Sequence, residues 1–105
     1  MKRLMLVLIS LPLGAAAPRG ADIALHGTNH GALPCMVCHG TVFQGNPSIG
    51  APALAGQPAA TTLAALDAIA AGKLGTNAVM QNIAVSLTPA ERAAVAGYFA
   101  SLKAK

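Results

Sequence analysis

Five consecutive residues, Cys35-Met36-Val37-Cys38-His39, place two thiols three positions apart and an imidazole directly after the second. In this spacing the thiols can add across the two vinyl groups of one haem while the imidazole reaches the iron. Neutral imidazole is a good iron ligand, and covalent attachment keeps the group on a small chain that could otherwise lose it. Two other chemistries use a Cys-x-x-Cys pair. A redox disulfide normally follows a strand in a βαβ setting, and no strand-rich pattern precedes Cys35. A zinc site needs four ligands, and the chain has only these two cysteines.

What lies on the other side of the iron separates electron transfer from ligand chemistry. Of four methionines, Met1 and Met5 belong to an apolar leading segment and Met36 sits inside the attachment motif. Met80 is left, 41 residues after His39, with enough chain between them to cross the haem edge and return on the far side. A thioether there favours reduced iron and raises the potential. The competing reading of Met80 is an ordinary core methionine. His26 and His30 are the alternative ligands, and a bis-histidine haem would sit at lower potential; as solvent-facing residues they need no role in the site. A ligating histidine also needs its second ring nitrogen held by an acceptor. The carbonyl of Pro52, in a loop with no competing helix bond, is placed for that, unless Pro52 is simply a turn proline. Leu54 would then pack on the haem plane.

Certain elements must position these groups. Residues 22–25 can form a short helix, capped by Asp22 and closed by Gly27. Between residues 40 and 60, Gly40, Gly45, Gly50, Gly56, Pro47, Pro52 and Pro58 break regular structure and predict a wrapping loop. From Thr61, Leu63, Leu66 and Ile69 or Ala70 recur at helical spacing until Gly72 and Lys73. Residues 75–87 are read as a connection that holds Met80 off either helical face. The last element has the clearest local signals: Thr88-Pro89-Ala90-Glu91 combines an N-cap, a first-turn proline and a capping-box glutamate. Val95, Tyr98, Phe99 and Leu102 then form one apolar face, and Lys103 and Lys105 suit a helix C-terminus.

The leading residues read as an address. Lys2 and Arg3 precede an apolar run over residues 4–13, and Gly14-Ala15-Ala16-Ala17 supplies small residues for cleavage. The run is interrupted by Pro12 and is shorter than the roughly 18 residues that span a bilayer. Residues 1–17 are therefore expected to be a secretory signal, cut between 16 and 21, ahead of one domain over 18–105. Loss of Lys2 and Arg3 leaves five basic against three acidic residues, and two haem propionates would offset the excess. No dense basic patch points to a nucleic-acid partner. With one tyrosine and two phenylalanines the chain has little to build a core from, and a buried haem would fill it.

Taken together these residues resemble the class I cytochrome c family, especially its small soluble bacterial members. The resemblance rests on His26-Gly27, Cys35 through Gly40, Pro52-Ala53-Leu54-Ala55-Gly56-Gln57, Met80, and Leu87-Thr88 leading into a helix with Tyr98. It implies an all-α fold wrapped around one covalent haem c, with N- and C-terminal helices crossing near Gly27 and Tyr98. It also implies His39 and Met80 on the iron and Pro52 orienting His39. Thr61 and Thr62 stand where relatives often have a tyrosine, and Gln81 follows Met80 where many have proline. The expected function is a monomeric, periplasmic single-electron carrier that is not itself an enzyme and docks transiently on a donor and an acceptor protein. The alternative is a cytochrome c subunit of a dehydrogenase or oxidase complex, reaching the membrane only through that complex. A haem ligand sensor and a thiol-disulfide protein rank below both.

Overall fold

The computed structural model describes residues 17–104, so the expected signal over residues 1–17 lies almost wholly outside the described residues. Five helices follow in order: α1 Gly20–His26, α2 Met36–His39, α3 Ala59–Ala70, α4 Ala78–Ser86 and α5 Pro89–Ala100. One 3-10 turn, Pro47–Ile49, interrupts the loop between α2 and α3, and no strand occurs among the described residues. The fold over the described residues is all-α, as the family resemblance implies.

Helices α1 and α3 pack on α5, and α4 packs on α3. Thr88 Oγ1 accepts the Glu91 N–H at 3.1 Å, and the Glu91 carboxylate accepts the Thr88 N–H at 2.8 Å. This reciprocal pair satisfies two N–H groups at the helix start. Val95 and Phe99 are buried, Tyr98 and Leu102 half-buried, so the apolar face reads as expected. Arg92 supplies a contact no local pattern announces. Its guanidinium donates to the Ala84 and Leu87 carbonyls at 2.7 and 2.9 Å and to Asp67 at 3.0 Å. One side chain thus ties α3 and the C-terminal end of α4 to α5, where a cation also suits the helix dipole.

Helix α1 differs from expectation at both ends of its reading. It begins at Gly20 with Arg19 as the cap residue, and Asp22 lies in its first turn, 3.5 Å from the Arg19 guanidinium. Its crossing with α5 falls at Gly20 rather than Gly27. A Cβ on Gly20 would collide with the Ala94 carbonyl and stand 2.9 Å from the Tyr98 Cβ, so only glycine permits this approach. Gly27, at φ 74°, instead closes α1 and faces the backbone of residues 32–34. Gly20→Ala is expected to push α1 off α5 and destabilise the holoprotein by about 1–3 kcal/mol, read by denaturant titration.

Helix α3 starts at Ala59, two residues before the expected Thr61, because Pro58 already holds the φ of a helix start. The largest correction concerns residues 75–87, read as a connection: they contain α4. Met80 is the third residue of that helix and not a loop residue.

Candidate functional site

The short helix α2 carries the attachment motif. Cys35 is its cap residue, Cys38 and His39 lie in its single turn, and Gly40 at φ 96° turns the chain out of it. His39 is 9% exposed. Its Nδ1 lies 2.8 Å from the Pro52 carbonyl oxygen. A carbonyl can only accept, so Nδ1 carries the proton and Nε2 keeps the lone pair a metal would take. The loop is built to hold this contact: Gly45 N–H donates to the His39 carbonyl at 2.8 Å, and Asn46 and Ala51 pair across the turn that leads to Pro52.

Met80 approaches from α4. The Asn77 side chain caps that helix by accepting the Met80 N–H at 2.9 Å, which fixes where the residue enters the site. Asn77→Ala is expected to cost about 1 kcal/mol in the holoprotein, measured by denaturant unfolding, because the cap is lost while the thioether is untouched.

Cys35, Cys38, His39, Pro52, Leu54 and Met80 all line one cleft of about 450 Å³, within the usual size of a cofactor pocket. Leu66, Ile69, Ile83, Leu87, Val95 and Phe99 complete its apolar walls, and Thr61 and Thr62 reach it from α3. Among the described residues, no Lys, Arg, Asp or Glu lines the cleft. Leu33, Ile49 and Val79 stand at the same cleft and are 52%, 56% and 55% exposed. Met36 does not line the cleft and packs on the core. His26 and His30 are exposed and do not line the cleft; His30 instead meets Glu91 at 3.1 Å. The Thr88 N–H holds the Glu91 carboxyl below its ordinary range against an opposing effect of burial, with His30 as a smaller contributor. Asn77 and Arg92 were not legible as site residues. Asn77 stands where a helix cap should, three residues before Met80, and that was the available signal.

Burial pushes the Cys35 thiol up to about 11. The donor set fits a c-type haem. It offers two thiols, an imidazole with its free nitrogen defined, a thioether from a separate helix and apolar walls for a flat apolar ring.

Residues 26–103 match the cytochrome c family, and the chain belongs to it. Its members carry a covalently bound c-type haem. The thiosulfate dehydrogenase electron acceptor of Thiomonas intermedia is 40% identical over 72 residues, covering 69% of this chain and 33% of that protein. Among solved structures, cytochrome c4 of Acidithiobacillus ferrooxidans superposes with a TM-score of 0.73 at 36% identity, covering 79% of this chain and 48% of that one. Cytochrome c4 of Pseudomonas stutzeri gives a TM-score of 0.75 at 29% identity, covering 82% and 47%. The thiosulfate dehydrogenase of Marichromatium purpuratum gives 0.77 at 32% identity, covering 82% and 18%. The chain therefore spans about half, or less, of the length of each of these relatives.

Proposed function

We propose that this chain is a periplasmic single-electron carrier holding one haem, joined through Cys35 and Cys38 and ligated by His39 and Met80. The observation that carries the reading is the convergence of all four side chains on one apolar cleft, with His39 Nδ1 already committed to Pro52. When bound, the haem supplies a one-electron couple. The chain's own residues set its conditions. Pro52 holds the Nδ1 proton and fixes the imidazole plane. The Met80 thioether favours the reduced state. Leu54 and the apolar walls exclude water, which disfavours the more highly charged oxidised state. One haem is proposed because the sequence has one Cys-x-x-Cys-His.

Export rests on residues 1–17, and no helix among the described residues is long and apolar enough to cross a membrane. Exposed Leu33, Ile49 and Val79 beside a charge-free cleft favour a small, apolar and transient docking surface. Reversible one-electron titration of the purified holoprotein tests the reading; a protein that binds exogenous ligand at the iron in place of cycling would overturn it. The rate of electron exchange with a partner is expected to change less than about threefold between low and physiological ionic strength, measured by stopped flow. Electrostatically steered pairs change by tenfold or more.

A second reading is an electron-accepting subunit of a larger dehydrogenase, favoured by the likeness to the thiosulfate dehydrogenase electron acceptor. Gel filtration after native purification separates the two, because a subunit elutes with its enzyme and a carrier elutes alone.

A further inference from the structure

Among the described residues, Phe43 is the one non-glycine with a left-handed backbone, at φ 59°. A residue with a Cβ is strained there, while glycine adopts the same φ freely. Such strain persists only where the surroundings over-determine it. Here they do so from two sides. The Phe43 N–H donates to the Gly40 carbonyl at 3.0 Å, and its own carbonyl accepts both the Leu54 and Ala55 N–H groups, at 2.9 and 3.1 Å. Its ring is 1% exposed and packs on α5, with centroids 4.9 Å from Phe99 and 6.0 Å from Tyr98. The segment gripped by that carbonyl is also tied to α5 at its far end, where Gly56 N–H donates to the Phe99 carbonyl at 2.9 Å. Pro52, whose carbonyl accepts the hydrogen bond from His39 Nδ1–H, lies two residues before Leu54.

We propose that Phe43 is a positioning residue for His39. Its left-handed turn aims its carbonyl at Leu54 and Ala55, so the packing of its ring on α5 seats the Pro52 carbonyl against His39 Nδ1. Hydrogen bonding at that nitrogen sets how strongly the imidazole donates to iron, and so the potential. A glycine at position 43 would relieve the backbone but uncouple the loop from α5. The inference rests on the reading of His39 as an axial ligand.

The test uses the holoprotein carrying Phe43→Gly, with Phe43→Leu as the variant that keeps an apolar side chain. Three quantities are read: solvent exchange of the His39 Nδ1 proton by NMR, the midpoint potential, and stability. In Phe43→Gly the Nδ1 proton is expected to exchange about tenfold faster or more, and the potential to rise because the imidazole donates less. Phe43→Leu moves both quantities the same way by less. Should Phe43→Gly not fold, Phe43→Leu decides alone. Lowered stability with proton exchange and potential unchanged in the folded variant would make Phe43 core packing only and overturn the proposal. If the parent protein shows no haem-ligand signals from His39, the ligand assignment itself fails, and the proposal with it.

Discussion

Met80→Ala leaves a folded protein with its haem still covalently attached, but the far-red ferric band of sulfur ligation disappears and the midpoint potential falls. Of the two methionines among the described residues, Met80 lines the cleft and Met36 packs on the core, so no other described thioether takes its place. The substitution is also well isolated. Alanine is the best helix former, and the Asn77 cap binds the backbone N–H of residue 80, which alanine retains. Helix α4 keeps its second anchor as well, through Arg92 on the Ala84 and Leu87 carbonyls. Met80 is only half-buried, so the lost packing costs about 2 kcal/mol, the lower end for a methionine truncated to alanine. The potential shift is the larger effect, because axial ligands command a range of roughly 0.8 V and exchange of a thioether for water or a nitrogen donor moves far along it. Redox titration and the ferric spectrum measure both. An unchanged band would mean that sulfur was never on the iron.

Cys35→Ala combined with Cys38→Ala is expected to reduce covalently held haem from one per chain to none, and to remove most cooperative folding. Among the described residues the largest fully buried side chains are Phe43, Phe99 and Val95, and much of the remaining core is alanine. A domain of this size is stable by only about 5–15 kcal/mol, so a chain that no longer retains its cofactor has little margin. Haem that stays with the chain through acidified-acetone extraction would contradict the assignment. The far-ultraviolet circular dichroism of the extracted variant reports the loss of folding. The thiol-disulfide alternative predicts a different outcome, an intact helical protein without redox activity.

How far the sequence alone reaches depends on whether a feature is local. Helix α5 was legible because Thr88, Pro89 and Glu91 satisfy its first turn from within that turn. The attachment motif was legible for the same reason, since five adjacent residues contain their own chemistry. Pro52 could be anticipated because a loop carbonyl beside a ligating histidine has few other uses. Helix α4 was missed although Asn77 caps it and Met80, Ile83, Ala84 and Leu87 recur at helical spacing. The polar Gln81 and Asn82 between two better-marked helices masked that period. Helix α1 was placed too late because glycine disfavours helices, and Gly20 starts one only because α5 lies against it. Neither the left-handed turn at Phe43 nor the grip of Arg92 on α3 and α4 has a local signal, because each exists only through distant partners.

These distant contacts share one outcome. Asn77 and Arg92 set the helix that carries Met80, while Pro52 and Phe43 set the ring of His39. In the proposed reading both hold the two faces of one covalently attached haem. Mass spectrometry of the denatured holoprotein, with the ferric spectrum of the native sample, tests it most directly. The prediction is one haem mass on every chain together with the far-red sulfur band. A chain mass without haem, or full haem loading with no such band in the parent protein, would contradict it.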